Sequence, residues 1–192
     1  AGYSTDYKLE GYFSRLNYDY DNRYYLSASV RRDGSSVFTN EKWGNFYSIG
    51  GSWRINNENF MSDVSFVNNL KLRASFGQVG NDQLGNYYIS KALYEIFPNA
   101  GQPGAYWSST GNADLKWETV ESYDVALEFG LFDNRLTGSV EYYKKNSSDL
   151  LYNVPIPGSE GQIQAPDNIG DMYNEGFEVG LNGRIIQSDN FT

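Results

Sequence analysis

The run GYFSRLNYDYDNRYYLSASVR, residues 11–31, decides the fold class of this chain. Apolar and polar residues alternate along both halves of it, as in extended strands that present one apolar face and one polar face. The polar turn Asp21–Arg23 separates the two halves. Two alternating runs joined by so short a turn predict a β-hairpin.

Five more runs alternate in the same way. They are Tyr47–Ile55, Leu70–Phe76, Tyr123–Phe129, Leu136–Tyr142 and Phe177–Ile185. Together with Gly11–Tyr20 and the run from Tyr24 they predict seven strands. Each has about ten residues, which is enough to cross a bilayer at a tilt.

The connections between these runs alternate in length. Short ones lie at Asp21–Arg23, around Leu131–Arg135 and after Ile186, whereas long ones span Asp33–Gly44, Gly80–Lys116 and Asn146–Asn174. Short turns at one end and long loops at the other are typical of outer-membrane barrels, whose long loops are extracellular. On that polarity the first strand descends toward the periplasm.

The connection between Ile55 and Leu70 is of intermediate length. Asn57 precedes a pattern that places Phe60, Val64 and Val67 on one helical face, so we expect Asn57 to cap a single helical turn.

The composition excludes several classes of function. The chain has 17 Tyr, 11 Phe and 4 Trp among 192 residues, no Cys and no His, and a net charge of −9. Aromatic residues favour strands. The lack of Cys and His removes the usual metal ligands and the usual general base, so we expect neither an enzyme nor a metal or cofactor site. The negative charge disfavours nucleic acid as a partner.

No segment of the sequence resembles a membrane helix or a signal peptide. The mean hydropathy of −0.59 is low. A membrane barrel tolerates this value because only alternate strand residues face lipid. Alternation alone also fits a soluble β-sandwich, such as a carbohydrate-binding module, and that alternative stays open at this point.

Seven stretches in series resemble the barrel of SusC/RagA-type TonB-dependent transporters of the Bacteroidetes. The most specific are Arg31–Ser36 and Asn112–Thr119. The full set is Ser14–Tyr20, Leu26–Ser36, Trp53–Ile55, Leu70–Gly77, Asn112–Thr119, Asn134–Tyr143 and Asn168–Gly176.

This resemblance implies an all-β, antiparallel, up-and-down transmembrane β-barrel segment, with about seven strands of a larger 22-stranded barrel. Residues 1–192 would then be a C-terminal, partial barrel domain of a multi-pass protein of the cell outer membrane, without plug, TonB box or signal peptide. The implied partners are a SusD-like surface lipoprotein, the TonB complex, outer-membrane lipid and an oligosaccharide or peptide substrate.

The alternation also predicts which side chains face lipid and which face the lumen. The predicted lipid-facing set is Tyr12, Leu16, Leu26, Val30, Ile49, Leu72, Val125, Leu127, Val140, Val179 and Leu181. The predicted lumen-facing set is Arg15, Arg31, Arg54, Arg73, Glu128 and Glu178.

An odd number of strands also predicts that the first and last strands pair with strands outside this sequence and not with each other.

Aromatic side chains in the longest loop are the candidate substrate-binding residues, because flat rings suit stacking on sugars or burial of apolar peptide side chains. The candidates are Tyr87, Tyr88, Tyr106 and Trp107, with Trp43 as a weaker case; Tyr94 and Phe97 lie in the same loop. The alternative is a structural role, in which these rings pack the loop onto itself or onto a lid. Glu118, Glu121, Asp124 and Glu128 share one strand. Glu118, Asp124 and Glu128 fall on its polar face, where a lumen lined by charge is expected, so we interpret these acids as structural.

Overall fold

The computed structural model describes residues 5–185. Within them the chain forms eleven strands and three short 3-10 helices at Ile55–Asn57, Asn59–Met61 and Gly158–Glu160. No helix in this part of the chain is long and apolar enough to span a membrane. The strands are β1 (Leu9–Tyr20), β2 (Tyr24–Ser35), β3 (Trp43–Arg54), β4 (Val67–Asn81), β5 (Leu93–Asn99), β6 (Gln102–Ser109), β7 (Glu118–Leu131), β8 (Leu136–Ser148), β9 (Leu151–Pro155), β10 (Gln164–Asn168) and β11 (Met172–Gly183).

Seven of these strands form one antiparallel sheet in the order β1-β2-β3-β4-β7-β8-β11. They are the seven predicted strands, and they are longer than expected, from 12 residues in β1 to 15 in β4. β1 and β11 are the two edges, and within the described residues they do not pair with each other. The predicted turn after Ile186 lies outside the described residues, as do both ends of the predicted domain 1–192.

The register places the two predicted sets of side chains on opposite faces. Directly paired residues of antiparallel strands point to the same side, so a row of partners defines a face. One row of the apolar face runs across all seven strands through Tyr20, Tyr24, Trp53, Leu72, Leu127, Val140 and Val179. One row of the polar face runs through Asp19, Tyr25, Ser52, Arg73, Ala126, Glu141 and Glu178. The predicted alternation is therefore confirmed on every strand.

The apolar face is bare. Leu16, Val30 and Leu181 are 62%, 60% and 69% exposed, and within residues 5–185 no second sheet packs on them. A soluble sandwich would bury this face against a partner sheet. Within residues 5–185 the sheet lacks the partner that a sandwich needs, and the exposed band has the character of a lipid-facing surface.

The polar face carries a charge network near the short turns. The Arg73 guanidinium bonds Glu128 at 3.0 Å and also pairs with Glu141, while Lys71 lies 3.7 Å from Glu128. Arg54 lies over the Tyr25 ring at 5.6 Å. Of these two lumen-facing arginines, Arg73 thus pairs with acidic side chains, whereas Arg54 lies against an aromatic ring. Phe13, which is 82% exposed on this same face, departs from the alternation.

The two short turns reverse the chain through left-handed backbone. Asp21 and Asn22 have φ of 54° and 51°, and Asp133 and Asn134 have 56° and 57°. Asp and Asn tolerate this region better than other non-glycine residues. The polar turn residues that marked the hairpins in the sequence therefore have a direct conformational reason.

The expected capped helical turn at Asn57 is wrong. Asn57 ends the first 3-10 helix, and its side chain donates to the Asn22 carbonyl at 2.9 Å. Glu58 precedes the second helix without a side-chain cap. Its carboxylate instead accepts hydrogen bonds from Tyr24 at 2.5 Å and Trp53 at 2.9 Å, and these bonds lower the pKa of Glu58. Val67, expected on the helical face, begins β4.

The long connections contain regular structure that the periodicity did not predict. β5 pairs with β6 inside Gly80–Lys116, and β9 pairs with β10 inside Asn146–Asn174. The connection predicted at Asp33–Gly44 is shorter, because β2 continues to Ser35 and β3 begins at Trp43.

Candidate binding surface at the loop ends of the strands

The three long connections meet in a small buried core, which we call the loop core. Its most buried side chains are Leu115 and Phe38, which are 0% and 1% exposed. Trp117 packs against Phe46 edge-on at 5.5 Å and against Phe38 at 5.4 Å. Phe46 lies on the polar face of β3, so the loop core rests on that face. Its members are Val37, Phe38, Phe46, Ile89, Leu115, Trp117 and Leu151.

The segment Asn112–Trp117 enters this core because of a local turn. The Asn112 side chain accepts a hydrogen bond from the Asp114 backbone N–H at 3.0 Å and donates to the Pro166 carbonyl at 3.1 Å. Leu115 and Trp117 then point into the core, and the Trp117 indole N–H donates to the Lys42 carbonyl at 3.2 Å. A buried indole N–H needs such a partner.

Asn168 joins two of the connections. Its amide donates to the Lys116 and Asp149 carbonyls at 2.9 and 2.8 Å, and its side-chain oxygen accepts from the Lys116 N–H at 2.9 Å. The Lys116 ammonium also lies 3.0 Å from the Asp149 carboxylate. One amide side chain thus satisfies three backbone groups that no strand partner reaches.

Arg31–Ser36, the other of the two most specific stretches, is also held by structural contacts. Ser35 donates to the Asp82 carboxylate at 2.5 Å, and Tyr7 donates to the same oxygen at 3.0 Å. Asp33 is paired with Arg31 at 2.5 Å. Burial and the bond to Asp82 raise the pKa of Tyr7.

A cleft of about 380 Å³ opens on the polar face beside the loop core. Its walls combine apolar side chains, such as Phe46 and Trp117, with the polar side chains of Ser29, Arg31, Ser48 and Gln83. The Arg31 side chain is 57% exposed there. Hydroxyl, amide and guanidinium groups in one concave surface can hydrogen-bond the polar groups of a ligand.

The β5–β6 hairpin, which we call the distal hairpin, extends from this assembly with both faces exposed. Tyr94 pairs with Trp107, and Ile96 pairs with Ala105 on the same face. Tyr106 pairs with Glu95 on the opposite face, where its hydroxyl donates to the Glu95 carboxylate at 2.8 Å. That bond raises the pKa of Tyr106. The exposed fractions are 64% for Tyr94, 81% for Ile96, 66% for Phe97, 49% for Tyr106 and 44% for Trp107.

The structure places the five candidate binding residues in three different regions. Tyr106 and Trp107 lie together in the distal hairpin but on opposite faces. Tyr87 stacks on Tyr7 at 5.0 Å, and the Tyr88 hydroxyl accepts the Asp6 N–H at 3.0 Å, so both lie at the base of the loops.

Trp43 lies apart from the other four candidates. It is on the apolar face of the sheet, stacked with Tyr12 at 6.2 Å and covered by the Arg32 guanidinium at 5.1 Å. This position suits a ring at the membrane boundary better than one facing a substrate. A binding role for Trp43 stays a prediction.

Ile96 completes the exposed apolar surface and was not among the sequence candidates. The turn Ala100-Gly101, with φ of 51° and 79°, joins β5 to β6. A two-residue turn with positive φ at both positions is the preferred hairpin connection. Gly101, which lies between two short apolar runs, was the feature of the sequence that could have indicated this hairpin.

The acidic residues of β7 have structural partners. Glu118 accepts the Leu151 N–H at 3.3 Å, and Glu128 is held by Lys71 and Arg73. Across residues 5–185, no three acidic side chains converge as a metal site would require. The expectation that the chain is not an enzyme stays a prediction.

Comparisons with known proteins agree with this architecture. The family described as "TonB dependent receptor-like, beta-barrel" matches residues 1–192. The chain is 40% identical to TonB-dependent receptor P39 of Formosa agariphila over 198 residues, and 36% identical to TonB-dependent receptor SusC of Bacteroides thetaiotaomicron over 201 residues. These alignments cover 98% and 100% of the chain. The resemblance to SusC/RagA-type transporters is confirmed.

A solved structure gives the same result. The chain superposes on the RagAB peptide transporter with a TM-score of 0.88 and 36% identity, over 95% of this chain and 20% of that one. It covers 18% of P39 and 20% of SusC. The chain thus spans about a fifth of the length of the relatives it matches.

Proposed function

The chain belongs to the TonB dependent receptor-like β-barrel family, and from that premise we propose that it forms part of the wall and extracellular surface of an outer-membrane nutrient importer. The single observation that carries this proposal is the seven-stranded sheet with a bare apolar face, a polar face and long loops gathered at one end. Such a sheet is stable where lipid covers one face and a polar lumen lies against the other.

The edges of the sheet support a place within a larger barrel. β1 and β11 each present one row of backbone groups without a strand partner among the described residues. In hydrocarbon each unsatisfied group costs several kcal/mol, so lipid-exposed open edges do not persist. We propose that both strands pair with strands from the rest of a full-length protein.

The substrate class we propose is a glycan or peptide, captured at the loop ends together with a SusD-like lipoprotein lid. The RagAB neighbour is described as a peptide transporter. Here the distal hairpin offers exposed aromatic rings on two faces, and the cleft beside the loop core offers hydrogen-bonding groups. Import through the barrel would draw its energy from the TonB complex. The chemistry is binding and gated passage.

The opposed rings of Tyr106 and Trp107 suggest a division of roles. One face of the hairpin can meet the substrate while the other meets the lid, since a two-stranded ribbon separates the two rings. The variants Tyr106→Ala and Trp107→Ala should therefore act differently, one on substrate affinity and the other on lid retention. Each stacked ring contributes on the order of 1 kcal/mol, which corresponds to several-fold in affinity.

The test uses the full-length importer with its lipoprotein. Ligand affinity is measured by calorimetry, lid retention by co-purification, and uptake in cells that carry each variant. Tyr20→Ala is the matched control, because Tyr20 is 59% exposed but lies at the short-turn end of β1, at the opposite end of the sheet from the loops. If neither hairpin variant changes affinity, lid retention or uptake while the barrel is folded, the hairpin is not part of the capture surface.

A further inference from the structure

A basic patch, formed by Lys8, Arg32 and Lys42, lies at the loop end of β1, β2 and β3. Arg32 is directly paired with Tyr12, so its side chain is on the apolar face of the sheet and not on the lumen-facing side. Lys8 continues the register of β1, because its N–H donates to the Ser36 hydroxyl and its carbonyl accepts the Ser36 N–H, both at 3.0 Å. Cations on a lipid-facing surface are costly unless they reach the polar headgroups.

The Trp43 ring holds the guanidinium of this patch in place. The Arg32 guanidinium lies 5.1 Å from the centroid of the Trp43 ring, and that ring also stacks on Tyr12 at 6.2 Å. The other support of the ring is the bare backbone of Gly34, where a Cβ atom would come within 2.9 Å of it. An aromatic face that orients a guanidinium leaves the N–H donors at its edge available for an anion.

A recess of about 660 Å³ opens beside this ring. Lys8, Lys42 and Trp43 are among the residues that line it. Of its described lining residues, Glu10 is the one carboxylate, and it accepts a hydrogen bond from the Tyr12 hydroxyl. The recess and its rim therefore carry more positive than negative charge, in a chain whose net charge is −9.

The cations of the basic patch have no carboxylate partner, in contrast to Lys144. Within residues 5–185, none of the three forms an ion pair. Lys144 is on the same face of the sheet, in β8, and its ammonium lies 3.2 Å from the Glu175 carboxylate. The fold thus neutralises one cation on the loop side of its apolar face and leaves the basic patch for an anion from outside the sheet.

We propose that Lys8, Arg32 and Lys42, with Trp43 as a wall, bind the phosphate group of an anionic lipid in the membrane leaflet on the loop side. Charge complementarity and position both select this occupant. Guanidinium and ammonium groups bind phosphate through charge-assisted hydrogen bonds, and the apolar face next to the patch gives the acyl chains a surface to cover. The inference rests on the proposed place of the sheet in the outer membrane.

The site would also connect a bound lipid to the loop core. The Lys42 carbonyl accepts the Trp117 indole N–H at 3.2 Å and the Ser35 N–H at 3.0 Å. A headgroup held by the Lys42 ammonium would therefore contact the same residue that fixes a buried ring of the core.

The test measures the binding of dioleoyl phosphatidic acid, whose headgroup is a phosphate monoester, to the full-length importer in detergent micelles by native mass spectrometry. Arg32→Gln and Lys8→Gln each remove one positive charge from the patch. Lys144→Gln is the matched control, because it removes a cation of the same face that already has a partner. Dioleoyl phosphatidylcholine is the control lipid, and inorganic phosphate is added as a competitor.

Arg32→Gln and Lys8→Gln should each lower the affinity for phosphatidic acid several-fold, whereas Lys144→Gln should leave it unchanged. Phosphatidylcholine should bind the unchanged protein more weakly than phosphatidic acid. An unchanged affinity in Arg32→Gln overturns the site. An equal loss in Arg32→Gln and Lys144→Gln means general charge attraction and also overturns it. Displacement of the lipid by inorganic phosphate at the same concentration assigns the recess to a free anion and overturns the lipid as its occupant.

A nitroxide label at Leu16→Cys, on the apolar face, tests the placement of the sheet separately in proteoliposomes. This chain contains no cysteine, so the label is unique once cysteines elsewhere in the protein are replaced. Frequent collisions with oxygen and rare collisions with a nickel chelate indicate lipid at this position. A water-like ratio would refute the membrane placement, whereas a lipid-like ratio without an effect of Arg32→Gln refutes the lipid site alone. Folding of every variant is checked by its heat-modifiable mobility in gels.

Discussion

The distal hairpin and the segment that follows it are adjacent parts of one long connection, yet their environments are opposite. In the hairpin, Ile96 is 81% exposed and Tyr94 is 64% exposed, whereas Leu115 is fully buried and Trp117 is 8% exposed. The hairpin is held mainly by its own strand pairing, while the later segment is held by contacts with two other connections. A long aromatic loop can therefore contain both a structural base and a free surface, and only the free surface is available for binding.

The largest expected contrast between the two parts is in stability. Leu115→Ala should lower the free energy of unfolding by about 2–5 kcal/mol, because it leaves a cavity in the loop core. Ile96→Ala should change it by less than about 0.5 kcal/mol. Urea unfolding of the full-length protein in detergent micelles measures both. Equal losses in the two variants would contradict the distinction between base and hairpin.

A smaller loss of stability is expected when the Asn168 amide, which joins two of the long connections, is removed. Asn168→Ala removes three hydrogen bonds to the backbone of Lys116 and Asp149, and should cost about 1–2 kcal/mol because one side chain makes all three bonds and the bond to the Asp149 carbonyl is partly buried. Hydrogen exchange should become faster at the Lys116 amide. Asn99→Ala, beside the hairpin turn, is the control and should leave that amide unchanged. Unchanged exchange in Asn168→Ala would mean that the loop core alone holds the connections together.

The loop base should also lose stability at alkaline pH. The pKa of Tyr7 is raised, so its hydroxyl bond to Asp82 stabilises the folded state fully below the ordinary tyrosine pKa of about 10 and is lost as the pH rises through the folded-state value. We expect Tyr7→Phe to lower stability near neutral pH by about 1 kcal/mol or less, because Tyr7 is 40% exposed. The difference from the unchanged protein should then shrink at high pH. Thermal midpoints recorded from pH 8 upward check this; a difference that stays constant with pH would refute the role of the hydroxyl.

The smallest effect on stability is expected in the hairpin itself. Tyr106→Phe removes the hydroxyl that bonds Glu95 but keeps the ring. Because the pair lies in solvent, the thermal midpoint should not change measurably. If the ring carries the binding, Tyr106→Phe should retain ligand affinity or lid retention, whichever Tyr106→Ala loses. A loss in both variants would assign the contact to the hydroxyl.

The seven long strands could be predicted because their signal is local. Alternation in a run such as Leu70–Phe76 directly identifies the two faces of β4, and the register confirms it. The β5–β6 hairpin was missed because Pro98 and Pro103 interrupt short runs whose two faces are both exposed and therefore carry no alternation. The helical turn at Asn57 was wrong because Glu58 is held by Tyr24 and Trp53, which lie outside the local helical pattern.

The candidate site was predictable only as a region. The aromatic content of Gly80–Lys116 indicated a loop rich in rings, but it could not separate Tyr87, which stacks on Tyr7, from Trp107 in the distal hairpin. The choice depends on which rings find a partner from another part of the chain. Trp43 shows the same limit, because its stacking on Tyr12 of a neighbouring strand places it on the apolar face.

The sequence by itself determined the seven long strands and their two faces, because a period of two residues is a property of the extended backbone and needs no knowledge of distant contacts. The family followed from the seven resembling stretches and not from the period. The tertiary structure alone decided how the long connections divide into base and hairpin. That division depends on bonds between residues far apart in the chain, such as Trp117 to Lys42 and Tyr7 to Asp82, each separated by 75 positions. No local pattern encodes such pairs, since the energy of burying a side chain depends on what the fold brings against it.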